Sequence, residues 1–374
     1  MGLRTTTAPR HGGLATWALL ALALALLLSL VAGFFMEQAA PPAAVSSAGA
    51  GECIAYLEFG RGADSLWLAD PARPADRVLI RRIDHAPDFG ALAALAPGAG
   101  SLAYTLLPPD TVAPAPDALA ELWVAPLAGD GKPRFLAGGV DLLVPPVWSA
   151  DGATVVFRRS RPEFQIAGID LASGAERTLV ASAGAALFPV AFAPDGRLLY
   201  VALDGNGSRL FAAADGRSEL IAPLADALTR DWSLSPAGDR LAYLELTFTA
   251  TELSSRARIL DLATGRIGAA AGAAGDEFNP VWRDDGSLAV GRLAPGEAGV
   301  AVSAADGSLK TIETPGIGFE VPLAWSGDGY LALRRFQGSS AVDPGRSDVL
   351  LLDAAGNRTA LAAGELTVLG WLAR

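Results

Sequence analysis

The sequence is poor in the residue types from which catalytic and metal centres are usually built. Of 374 residues, one is cysteine and two are histidine. A lone cysteine, Cys53, excludes an intrachain disulfide and a Cys-based zinc site. It is expected to be buried in a strand as a small hydrophobe. His11 lies near the N-terminus, so His85 is the one imidazole available to the rest of the chain. A single histidine cannot make a two- or three-His metal centre. A Ser-His-Asp site would have to use it with Asp84 or Asp88, and no G-x-S-x-G elbow accompanies it. The stretch from Asp204 to Ser208 begins like a calcium loop but lacks the Gly at its sixth position, and reads as a hairpin turn. Neither a cofactor nor a metal is expected. Basic charge is also short: 29 Lys and Arg face 40 Asp and Glu, a net charge of −11. Nucleic acid is therefore excluded as a partner, because phosphate binding needs clustered cations.

One apolar run stands out. "LATWALLALALALLLSLVAGFFM", residues 14–36, carries no charge and is long enough to cross a hydrocarbon core of about 30 Å as a helix. Arg4 and Arg10 precede it and Glu37 follows, so the positive-inside rule places residues 1–13 in the cytoplasm and everything after the span outside it. A retained signal anchor is the expectation; a cleaved signal peptide, giving a secreted form, is the alternative. Residues 37–52, rich in Ala, Pro, Ser and Gly, read as a flexible linker.

The remainder, residues 53–374, is built on a repeat. "PVAFAPDGRLLYVA", from Pro189, is an apolar strand, a tight Asp-Gly turn and a second apolar strand. Comparable hairpins carry Trp148, Trp232, Trp282 and Trp325, with a degenerate copy at Leu95 and a last aromatic at Trp371. From Leu95 the steps are 53, 44, 40, 50, 43 and 46 residues. Each copy goes on to a third strand, an Asp/Ala-Gly turn and a short fourth strand. Four strands per 40–45 residues is the period of a β-propeller blade. Before Leu95 there is sequence for three strands, and after the sixth blade for one. Three and one complete a seventh blade shared by both ends of the domain, which removes free sheet edges. The expected fold is all-β: a seven-bladed β-propeller closed by N- and C-terminal strands sharing one blade, preceded by one transmembrane helix. One large apolar residue per blade at a fixed place is what packing between blades requires.

The motifs "WSADG", "FAPDG" and "WSLSPAGD" resemble the WD-like repeat of TolB-type propellers. The resemblance spans about residues 95–371 and implies the propeller fold. It implies no particular ligand, because that hairpin is structural and the fold hosts many functions. No separate α/β domain of the TolB kind is evident.

In a four-stranded meander A-B-C-D, the A–B and C–D turns lie on one face and the B–C and D–A loops on the other. The first face is all tight turns. The second holds the insertions at residues 108–118, 248–255 and 338–346, and is the candidate working face. Just before the innermost strands stand Asp88, Asp141, Asp231, Glu277, Glu320 and Glu365. Converging on the channel mouth, they would form an acidic collar favouring a basic ligand; otherwise they are solvated loop residues. The functional expectation is a membrane-tethered extracytoplasmic module that binds or scaffolds an unidentified peptide, protein or glycan. The alternative is a hydrolase or lyase using carboxylates at the channel mouth.

Overall fold

The structure, a computed structural model, describes residues 51–373 apart from 99, 113–117, 129–130, 249–252, 272–274, 305–306 and 363. The span expected at residues 14–36 and nearly all of the linker lie outside the described residues. Among the described residues no helix is long and apolar enough to cross a membrane.

The turn that punctuates each repeat explains why the chain reverses where it does. In five blades the Gly amide donates back three residues, as from Gly152 to the Ser149 carbonyl (2.9 Å) and from Gly196 to that of Ala193 (2.9 Å). Both glycines sit at positive φ, 69° and 83°, where a Cβ is strained. The turn Asp closes the motif: one oxygen of Asp151 accepts the Ala153 amide at 3.0 Å, and one of Asp195 the Arg197 amide at 3.0 Å. The repeated Asp-Gly is thus turn chemistry.

These turns organise the strands into seven four-stranded antiparallel sheets. Blade I combines Glu52–Glu58, Ala63–Asp70 and Arg73–Asp84 with the innermost strand Leu366–Ala373. Blades II to VII follow at residues 92–141, 147–182, 186–225, 228–269, 276–313 and 319–362. Closure is a full ladder, running from Glu52 opposite Ala373 through Ile54 opposite Trp371 to Glu58 opposite Leu366. The two ends of the domain therefore share one sheet, as its repeats require.

No blade is stable alone, because both faces of its inner strands are apolar. The burial is shared between neighbours instead. Seven apolar clusters each join one pair of adjacent blades. Ala103 and Leu122 of blade II pack with Val155 and Phe157 of blade III, and the ring closes where Leu323 and Leu351 of blade VII meet Ile54 and Trp371 of blade I. The repeated tryptophans belong to this packing. Trp148 donates its indole N–H to the Ala94 carbonyl (3.0 Å) and Trp282 to that of Ser233 (2.9 Å), each reaching the innermost strand of the preceding blade.

Two expectations are corrected. In blade V the residue at the turn is buried Leu234, not Trp232. A bulge at positive-φ Asp231 sets Trp232 two residues back, where its indole bonds the Thr229 hydroxyl at 2.9 Å. Cys53 does lie in a strand, opposite Leu372, but is only half-buried.

Candidate binding face

The six carboxylates anticipated at the channel mouth occupy unlike environments. Asp88 and Glu365 are exposed, and Asp88 faces Arg61 at 3.6 Å. The other four are buried. Asp141, at the end of the outermost strand of blade II, takes the Nε and Nη2 of Arg158 from blade III on one oxygen (3.0 and 2.7 Å) and the Leu143 amide on the other (2.7 Å). Glu320 accepts Arg358 Nε and Nη2 on separate oxygens, both at 2.8 Å. Asp231 accepts Arg230 Nε at 3.0 Å, and its burial pushes the carboxyl up from the usual range.

Glu277 reaches across to blade V, where one oxygen takes the Ala257 amide at 2.7 Å. Its other oxygen has no hydrogen-bond partner among the described residues, and burial raises this carboxyl too. The structure does not bring the six together as one exposed ring. In Asp141, Asp231 and Glu320 the negative charge is offset by an arginine within hydrogen-bond distance, which removes most of its field at the mouth.

His85 is also engaged, but with a partner the sequence did not single out. Its Nε2 lies 3.0 Å from Asp64 Oδ1 and its Nδ1 2.8 Å from the Ala86 carbonyl. Neither Asp84 nor Asp88 makes that contact. Asp64 stands at the start of an apolar strand, and only the pairing of Ala63–Asp70 with Arg73–Asp84 carries it beneath the imidazole. Both ring nitrogens of this buried imidazole are thus engaged by acceptors of the fold, and neither contact is to a serine or other nucleophile. Asp204 and Gly207 pair directly across a two-residue hairpin, and Asp204 is bound by Arg209 and the Asn206 amide (2.8 Å), which makes this segment a turn.

The two faces of the ring differ in what they expose. On the turn face several carboxylates are structural. Asp170, Asp261 and Asp353 accept hydroxyl, amide and backbone hydrogen bonds within their own turns, first from Ser173, Thr264 and Asn357 respectively, which hold them below the usual carboxylate range. The large apolar side chains that are exposed fall into two sets. One set lies on outermost strands, such as Val78, Leu79 and Leu220. The other lies at the B–C and D–A end, where Val112 is 93% exposed, Val342 83% and Ile317 81%. None lies in a turn of the opposite face among the described residues. Composition alone does not reveal this division, because apolar residues are common throughout the chain.

No protein-family model matches the sequence, and no curated protein sequence matches it either. Solved structures do. A structure described as one of two prolyl endopeptidases aligns at a TM-score of 0.58 and 14% identity, over 96% of this chain and 56% of that one. The β-propeller domain of the Trilobed protease from Pyrococcus furiosus aligns at 0.51 and 13%, over 83% and 96%. The chain is a seven-bladed β-propeller. TolB from Acinetobacter baumannii is among the similar structures, at a TM-score of 0.49 and 16% identity over 70% of this chain and 63% of that one. At such identities the likeness to each is one of fold. The propeller spans little more than half of the prolyl endopeptidase. The Pyrococcus furiosus domain is described as having an open velcro topology, whereas this propeller is closed by the strands Glu52–Glu58 and Leu366–Ala373.

Proposed function

We propose that this propeller is a membrane-tethered, extracytoplasmic binding or scaffolding module, and that it takes a protein or peptide partner on its loop-bearing face. The supporting observation is the one-sided exposure of Val112, Ile317 and Val342, all more than four-fifths exposed on loops of that face. Binding residues are commonly carried on loops displayed by a rigid scaffold. The tether follows from the uncharged run at residues 14–36, with Arg4 and Arg10 before it. Strand Glu52–Glu58 begins on the turn face, where the Glu52 amide meets Asp328 at 3.4 Å. The first described strand thus starts on the face opposite the loops.

Photo-crosslinking in cells tests this reading. A benzophenone amino acid at Val342 should give a discrete adduct, and the same residue at exposed Lys132 on the turn face should not. Adducts from Lys132 alone would overturn the assignment of the face.

A further inference from the structure

Most of the exposed large apolar residues of the loop face lie on one arc of the ring, with Phe248 of blade V outside it. Ile317, Val342, Phe59 and Val112 belong to three consecutive blades, VII, I and II, and to the connection that enters them. Hydrogen bonds run through the loops that carry them. Arg335 donates to the Pro315 carbonyl, and Arg334 of blade VII to that of Leu366 in blade I. The Phe59 amide donates to the Glu365 carbonyl at 2.9 Å, and the Asp88 amide to that of Arg61 at 2.7 Å. The Ala86 amide of the connection leaving blade I then donates to Leu107 of blade II at 2.9 Å. A separate small apolar cluster of Ala86, Leu107, Ala120 and Leu142 underlies this junction.

The described residues of two of these loops carry local backbone bonds. The Gly338 amide bonds the Pro344 carbonyl at 2.6 Å, and the Thr111 amide that of Pro108 at 2.9 Å. A Cβ at Gly338 would sit 2.0 Å from the Asp343 carbonyl oxygen, so the backbone closes there in a way only glycine allows. These bonds fix the backbone beside Val342 and, up to Thr111, the described start of the loop that carries Val112, and backbone fixed before binding lowers the entropic cost of docking.

Its charge has a pattern as well. Three exposed carboxylates each accompany one of the apolar residues. Asp110 lies two residues from Val112, Asp343 is next to Val342, and Glu365 is joined to Phe59 by the backbone bond above. None of the three makes an ion pair among the described residues. On the same arc Asp88 and Asp84 are answered by Arg61 (3.6 Å) and Arg82 (2.9 Å). Alternating apolar side chains and unanswered carboxylates complement one kind of ligand: a peptide segment with an apolar stripe and flanking Lys or Arg.

We infer that the arc from Ile317 through Val342 and Phe59 to Val112 docks an amphipathic, cationic segment of a partner protein. The inference rests on the loop-face reading above and narrows it to three blades and one ligand chemistry. The probe is a fluorescein-labelled amphipathic Leu/Lys peptide, titrated with the full chain in neutral detergent, with empty micelles as the blank. It should bind the wild-type chain, while a scrambled peptide of the same composition and a Leu/Glu counterpart should not. V112D/V342D should weaken binding at least tenfold. D110N/D343N/E365Q should flatten the salt dependence, since exposed charges are screened as the Debye length shortens. E297Q, on the same face outside the arc, should change neither.

V112S/V342S serves if the aspartate pair fails to fold, and should also weaken binding. Equal binding of the scrambled peptide, no binding by the wild-type chain, or full affinity in folded V112D/V342D overturns the inference. A wild-type dimer that V112D/V342D converts to monomer also overturns it, because the occupant is then a second copy. Crosslinks on loops of blades III to VI would sink the arc and leave the loop-face reading standing, whereas crosslinks on the turn face sink both.

Discussion

His85 Nε2 lies 3.0 Å from Asp64 Oδ1, across 21 residues of sequence, while its Nδ1 faces the Ala86 carbonyl at 2.8 Å. Both nitrogens thus meet acceptors, an arrangement that only the doubly protonated ring satisfies. Burial alone would push this imidazole down, but the bonds to Asp64 and Ala86, with the charges of Asp64 and Asp84, outweigh it and the net shift is upward. A folded-state value above the unfolded one means that this contribution is complete below about pH 6.5 and is lost as pH rises through the folded value. Urea unfolding at a series of pH values should show wild-type stability falling from pH 6 toward pH 8. In H85Q that slope should shrink, with the largest loss of stability at the acid end. An unchanged slope would remove the imidazolium assignment.

Trp282 and Trp325 hold corresponding places in successive blades, and each lies under an arginine, Arg240 at 4.6 Å and Arg283 at 5.5 Å. They differ in one bond. Trp282 donates to the Ser233 carbonyl at 2.9 Å, whereas the buried Trp325 N–H finds no acceptor among the described residues. W282F should therefore cost about 1 kcal/mol more than W325F in chemical denaturation, the net worth of one buried hydrogen bond. Equal losses would mean that the bond contributes nothing beyond packing.

Glu320 is wholly buried and its anchor Arg358 nearly so, with side-chain exposures of 0% and 16%. Removing one partner leaves an uncompensated charge, so R358M should destabilise by about 3–5 kcal/mol and the double variant E320L/R358M should recover much of the loss. Peptide binding by the folded double variant should match the wild type if Glu320 serves structure alone. Lost binding in that variant would restore Glu320 to the ligand site.

Deleting residues 366–374 removes the innermost strand of blade I and the partner of Glu52–Glu58. It also deprives the apolar cluster between blades VII and I of Leu366, Val368 and Trp371. The truncated chain should unfold without a single cooperative transition and aggregate, as a sheet with an open edge does. A sharp, wild-type-like urea transition would contradict the closure.

A periplasmic-type reporter fused after Arg374 should be active only outside the cytoplasm, since Arg4 and Arg10 precede the apolar run. Activity in the cytoplasm would reverse the proposed orientation. A mature form beginning near residue 40 would replace the anchor by a cleaved signal.

Blade number, strand order and the shared blade were legible in the sequence because each is written locally. A Gly at positive φ after an Asp, as at Gly152 and Gly196, forces a reversal whatever surrounds it. Alternating apolar residues between such turns leave a strand little choice, and the missing and surplus strands at the ends could only be paired with each other. The same local patterns misplaced Trp232, because a bulge at Asp231 shifts which residue meets the turn.

The fate of the carboxylates was not written locally. Arg158 reaches Asp141 from the next blade, Arg358 reaches Glu320 across 38 residues, and Asp64 slides under His85 from the neighbouring strand. The first pairing depends on how neighbouring blades are turned against one another, and the other two on how strands distant in sequence are placed within one blade. The sequence by itself determined the backbone, because turn and strand chemistry act within a few residues. Only the tertiary structure decided which charges are neutralised inside and which apolar side chains stay in water, because those outcomes are set by contacts between strands and blades distant in sequence.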